Sequence, residues 1–209
     1  VRYSTAGDRL FYRRGQDWFG WTLEGGQEVP ILHLAAGREA TMPRADTTVR
    51  LDPQVEIVFS DLSPAGNAAL VDTTPRGHDG GEVAGMPVCL TESGYPEMKT
   101  DPFATRIGRN EIPPHRLWLV DVTEARAQVL DLSGLPGIMD DPFAAERTAQ
   151  HLPPLVGPRG VTIGLVRWSP DGTSAVVSLN AIDGKDSWLI EVDTAIGKGF
   201  FHIVPAPIV

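Results

Sequence analysis

Arg106, Arg109 and Glu111 stand within six positions of one another, beside Gly108 and Asn110. A guanidinium can hold a carboxylate or a peptide carbonyl through paired N–H donors on its planar fork. This cluster is the leading candidate for a substrate-binding role, and a surface ion pair or a simply solvated face is the plainer alternative. The histidines are His33, His78, His115, His151 and His202, and none has a second histidine two to five residues further on. The usual metal-ligand spacing is therefore missing. His78-Asp79 with Glu82 could hold a cation, but the glycines around them fit a solvated loop. Cys89 lies between Val88 and Leu90, where a buried, inert thiol is expected because no cation stands near to lower its pKa. As the single cysteine, it excludes an internal disulfide and a cysteine-based zinc cage. Asp140-Asp141 could divide acid and base roles only in two distinct environments, and capping a helix is the simpler task. No cofactor and no metal is expected from these residues, and none is assigned a catalytic role.

The elements that must position these groups follow a repeat. One copy reads Val166-Arg167-Trp168-Ser169-Pro170-Asp171-Gly172 and then Ala175-Val176-Val177. A second reads Val58-Phe59-Ser60-Asp61-Leu62-Ser63-Pro64-Ala65-Gly66 and then Ala68-Ala69-Leu70-Val71, and a worn one reads Ser4-Thr5-Ala6-Gly7 before Leu10-Phe11-Tyr12. Each is an apolar strand, a tight turn and a second apolar strand. Proline presets φ within such a turn, and glycine accepts a positive φ. Ser4, Ser63 and Ser169 are thus expected to bond the local backbone; no base or nucleophile elbow accompanies them. A tryptophan-bearing strand follows each copy: Trp18-Phe19-Gly20-Trp21, Leu117-Trp118-Leu119-Val120 and Ser187-Trp188-Leu189-Ile190. With Trp168, these side chains could stack on a ligand, but their repeat-equivalent places favour packing between sheets.

Strand, Ser-x-x-Gly turn, strand, tryptophan strand and short closing strand describe a four-stranded propeller blade of about 40–50 residues. The chain is therefore expected to be all-β: a partial β-propeller of about three four-stranded blades, with a long insertion and one short helix. The blade-like units run roughly over 1–50, 51–135 and 155–209, with the insertion at roughly 75–114. The insertion, holding Pro75-Arg76-Gly77-His78-Asp79-Gly80-Gly81, is expected to be irregular loop. The helix is expected from Pro142 to Gln150, with Asp140 and Asp141 at its N-terminus and Leu152-Pro153-Pro154 ending it. Three units do not close a ring that needs about 4–8 blades. The chain, which opens on Val1 without a methionine or a leader, is expected to be a piece of a longer protein or an open arc.

The stretch from Arg106 to Val122, with Gly108, Asn110, Pro113 and Pro114 ahead of Leu119-Val120-Asp121-Val122, resembles the propeller segment of dipeptidyl-peptidase-IV-type enzymes. The stretch from Arg167 to Leu189 is similar to blades in bacterial members of the prolyl oligopeptidase family. The resemblance implies a β-propeller that gates or anchors peptide substrate above a catalytic α/β-hydrolase domain in the same polypeptide. It implies a serine peptidase in the periplasm or secreted, and leaves a homo-oligomer open. The hydrolase domain is expected to be absent from this chain, because no Gly-x-Ser-x-Gly elbow occurs in it. The adjacent glutamates with which dipeptidyl members hold a substrate's amino terminus do not occur either. The chain alone is expected to lack hydrolytic activity. The rival is a stand-alone TolB-like propeller scaffold for protein–protein interaction.

Composition agrees with many short strands. Gly 22 and Pro 18 make up about a fifth of the 209 residues, which argues against a helical bundle. A formal charge of −9 with no basic run argues against a general nucleic-acid partner. No apolar stretch reaches the roughly 20 residues of a membrane-spanning helix.

Overall fold

The structure, a computed structural model, describes residues 1–36, 47–77, 85–88, 94–95, 97–100, 112–194 and 203–205. In chain order the elements are β1 (Arg2–Tyr3), β2 (Arg9–Arg14), β3 (Asp17–Thr22), β4 (Glu28–Ala35) and β5 (Thr48–Arg50). Then come β6 (Val55–Leu62), β7 (Ala68–Pro75), β8 (Gly85–Val88), β9 (Glu97–Thr100), β10 (Arg116–Asp121) and β11 (Arg126–Val129). Helix α1 (Ala144–Ala149) precedes β12 (Val161–Trp168), β13 (Ser174–Ala181), β14 (Ser187–Asp193) and β15 (Ile203–Pro205).

These strands form three larger sheets, ordered β1-β2-β3-β4-β5, β6-β7-β10-β11 and β12-β13-β14-β15. The second and third are four-stranded antiparallel blades, and the whole is the expected all-β partial propeller. The first sheet departs from the pattern by a fifth strand, β5, which lies parallel to β4 with His33 opposite Thr48. The insertion departs from irregular loop, since β8 and β9 pair antiparallel with Gly85 opposite Thr100. The helix is shorter than the expected span. Its N-cap position is Phe143, with no side-chain cap. Asp141 instead accepts the Phe143 N–H at 3.0 Å and pairs with Arg147 at 3.0 Å, so it braces the first turn from outside it.

The three repeat turns are built alike, bond for bond. Gly7, Gly66 and Gly172 donate their N–H to the carbonyls of Ser4, Ser63 and Ser169 at 2.9, 2.9 and 3.0 Å, each with φ between +71° and +75°. The same serine hydroxyls accept the N–H groups of Arg9, Ala68 and Ser174 at 3.1, 3.2 and 3.1 Å. The turn serines therefore satisfy main-chain groups, as their place in the repeat requires.

The blades stack face to face around the middle one. Leu70, Leu117 and Leu119 of the second blade pack with Val177, Leu179, Trp188 and Ile190 of the third. Ala69, Val71 and Val120, on the opposite face of the same sheet, pack with Phe11, Trp18, Leu32 and Leu34 of the first. With both faces covered, β7 is buried at every position from Ala68 to Thr74. That is why Ala68–Val71 reads as a continuous apolar run rather than an alternating one, with the buried polar Asp72, Thr73 and Thr74 following it. On β13 only every second residue is buried, because just one face of the third blade is covered.

Candidate ligand-binding axis

The first strands of the three blades run towards one axis, and their turns meet there. The N–H of Thr5 donates to the Pro64 carbonyl at 2.8 Å, which joins the first turn to the second. The Thr5 hydroxyl donates to the Pro170 carbonyl at 3.3 Å, which joins the first to the third. Gly172 lies against Ala65, which joins the third to the second. The three units thus converge on a hub at this end of the molecule.

Aligned on the turn glycine, Arg2, Asp61 and Arg167 occupy the same place, two residues ahead of the turn serine. The fold brings the three together. One Nη2 of Arg2 donates to both oxygens of Asp61, at 2.6 and 2.5 Å. Asp61 is only 7% exposed, and burial pushes its carboxyl above the usual carboxylate range against the opposing pull of Arg2 and, further off, Arg167. On the other face of β6, the hydroxyl of Ser60 accepts the indole N–H of Trp18 at 3.1 Å and Nη1 of Arg13 at 3.2 Å. Chemically this is a positively balanced group of polar side chains in an acidic chain, able to attract an anion, and among the described residues it holds no acid–base pair poised for catalysis.

Two part-buried histidine–aspartate pairs hold strands together. His33 bonds Asp17 between β4 and β3. His115 bonds both oxygens of Asp72 at 2.9 and 2.8 Å, and burial raises the Asp72 carboxyl although His115 draws it down. The His115 main-chain N–H donates to Val161 of the third blade at 2.9 Å, so this pair sits at a joint between blades. His151 ends the helix with φ +55° and is exposed. Among the described residues no group of three His, Cys, Asp or Glu side chains gathers as metal ligands would. A cleft of about 430 Å³ opens between Asn67, the β10–β11 hairpin with Asp121, Glu124 and Arg126, and Thr194.

Arg106, Arg109 and Glu111 lie outside the described residues, as do His78, Asp79, Glu82, Cys89 and His202. Trp18 and Trp188 are core residues, whereas Trp21 is 40% exposed at the rim of the first blade. Sequence reasoning missed the Arg2, Asp61, Arg167 group. The signal was present in the repeat alignment, but a site that changes charge from copy to copy does not show as similarity.

No family model matches the chain, and no curated protein does. Solved structures are similar to it. Dipeptidyl peptidase 4 of Porphyromonas gingivalis superposes at a TM-score of 0.52 and 11% identity, over 99% of this chain and 25% of that one. A dipeptidyl aminopeptidase IV candidate of Bacteroides ovatus superposes at 0.43 and 9% identity, over 96% of this chain and 29% of that one. An oligogalacturonate lyase of Vibrio parahaemolyticus gives 0.35 and 10% identity, over 97% and 52%. The fold is of the propeller type, and the chain spans about a quarter of the length of the peptidases it resembles.

Proposed function

We propose that this chain is the non-catalytic propeller portion of a serine peptidase of the prolyl oligopeptidase family. In that reading it anchors or gates peptide substrate and docks on an α/β-hydrolase domain of the same polypeptide. The supporting observation is the likeness in fold to the Porphyromonas gingivalis enzyme, which extends over 99% of the chain while leaving three quarters of that enzyme unmatched. The similarity of the stretch from Arg167 to Leu189 to bacterial family blades agrees with it, since that stretch lies on β12, β13 and β14. Arg106, Arg109 and Glu111 remain the proposed substrate-holding residues of the insertion.

The experiment is to treat the complete gene product with a fluorophosphonate that labels activated serines, and to assay it on peptidyl p-nitroanilides. One labelled serine outside these 209 residues, with hydrolysis, is the expected result. Replacing Arg109 with Ala should then raise KM about tenfold, as loss of a charged hydrogen bond does, with kcat unchanged. A complete product without a reactive serine would overturn the reading and leave the interaction scaffold in its place.

A further inference from the structure

The two ends of the blades are unlike. At the hub end the β1–β2, β3–β4, β6–β7, β10–β11 and β12–β13 turns take four or five residues each. Strands within a blade alternate in direction, so the remaining connections fall at the far end. One of these, residues 130–160 between β11 and β12, is described throughout. Its base is firm. Leu135 and Ile138 are buried in the core shared by the second and third blades. The Trp188 indole N–H donates to the Pro136 carbonyl at 2.9 Å, and Arg159 ties Gly137 to Asp183 and Asp186. What stands on that base is uncovered. A short helix draws its stability from packing one face, yet α1 buries none of its residues. Met139, Leu152 and Val156 are 56%, 49% and 90% exposed. They do not belong to a blade face awaiting a neighbour, because the segment is rooted where the second blade already covers the third. Apolar side chains held out from a rigid base mark an interaction surface.

Charge restricts the partner. Asp141 is paired with Arg147, and Arg159 with Asp183 and Asp186. Asp140 and Glu146 are exposed and have no cationic partner among the described residues. Counted with Asp183, Lys185 and Asp186, against which it rests, the segment carries six carboxylates and three cations. A second copy of the same surface would set like charge against like, whereas a face edged with Lys and Arg would complement it.

We propose that the far end of the blades, through Met139, Leu152 and Val156 with Asp140 and Glu146 around them, is where the α/β-hydrolase domain of the same polypeptide docks. The hydrolase meets it with an apolar patch rimmed by Lys and Arg. The hub end, with its tight turns, faces away. The identity of the partner rests on the function proposed above; the place and chemistry of the surface rest on the 130–160 segment alone.

The test is photo-crosslinking in the complete gene product. The photoreactive p-benzoylphenylalanine takes the place of Met139, Leu152 or Val156 in turn, and of Leu23 or Thr123 in the hub-end turns as controls. All of these side chains are exposed, so each substituted protein should keep the parent's thermal unfolding. After irradiation, mass spectrometry locates the cross-links, and the fluorophosphonate-labelled serine identifies the hydrolase domain. The far-end probes should join that domain within one molecule, and the hub-end probes should not. Asp140→Lys combined with Glu146→Lys should diminish the Val156 cross-link, more at low salt than at high. A yield unchanged by that double substitution refutes the basic rim. Cross-links to the labelled domain from the hub-end probes alone, far-end cross-links only to a second copy, or none from the far end overturns the proposal while the serine still labels. A complete product without a reactive serine overturns the functional reading and the hydrolase partner with it, so the two failures are told apart by the label.

Discussion

Gly172 rests on the backbone of Ala65: a Cβ on Gly172 would stand 2.7 Å from the Ala65 nitrogen, closer than any real carbon approaches. Two turns of different blades are therefore fitted to each other at a point where neither can yield. Gly7 has a similar φ, +71°, but nothing within 4 Å of its own Cβ position. Gly7→Ala should cost only the conformational strain of a positive φ, about 1 kcal/mol. Gly172→Ala should cost that and the clash, about 2–4 kcal/mol in total. Urea unfolding midpoints of the two variants check this, and equal losses would refute the close fit.

Arg159 should behave as a buried strut. Its guanidinium donates to Asp183 at 2.7 and 2.6 Å, to Asp186, and to the Gly137 carbonyl at 3.2 Å, with its carbon 5.8 Å from the Trp188 ring centroid. The hydrogen bonds from Arg159 hold the Asp183 carboxyl below its usual range. Arg159→Met should destabilise the chain by about 2–4 kcal/mol, the lower part of the range reflecting partly exposed aspartates. Arg159→Lys should recover little, since one ammonium cannot reproduce the fork. Thermal unfolding of both variants is the measurement.

Ser60 is a hydroxyl shared across two blades. Ser60→Ala leaves the buried indole N–H of Trp18 without its acceptor, at a cost of about 1–3 kcal/mol. Ser60→Thr keeps the oxygen and should lose less. Chemical denaturation with tryptophan fluorescence reads both.

The pH dependence of Asp61 has a definite sign. Burial raises its pKa above the ordinary 3.8 in the folded chain, so just above that value the folded state holds the proton more than the unfolded state does. The stability that this group contributes is then present below pH 3.8 and declines as the pH rises through the folded pKa. Asp61→Asn removes the decline. Relative to the wild type, the variant should gain stability as the pH increases from about 4 and level off above the folded pKa. Unfolding curves at half-unit pH steps measure the difference, and a flat or falling one contradicts it.

The repeat was legible because each copy is local. A serine, a glycine three residues on and flanking apolar runs contain nearly all that the turn needs, and the same hydrogen bonds recur at Ser4, Ser63 and Ser169. What escaped was set by partners distant in sequence. The three residues of β5 form a strand only because β4 offers an edge. Gly85 and Pro87 discourage a strand reading of β8, which its pairing with β9 imposes. Arg159, within Gly157-Pro158-Arg159-Gly160, reads as a surface turn residue. The aspartates that bury it stand 24 and 27 residues further on. The axial group was similarly hidden, since Arg2 and Asp61 are 59 residues apart.

Strands β7 and β10 are neighbours in the sheet, with Thr73 opposite Arg116, although about 40 residues of chain separate them. The entropy of closing such an excursion grows only with the logarithm of its length, about 0.6 kcal/mol for each doubling. The second blade can therefore accept a longer, shorter or replaced excursion at that seam while its two packed faces stay as they are. Evolutionary novelty, or an engineered graft, can be housed in the excursion after Gly77 and short of Pro114 and His115, which keep the seam tied to Gly160, Val161 and Asp72.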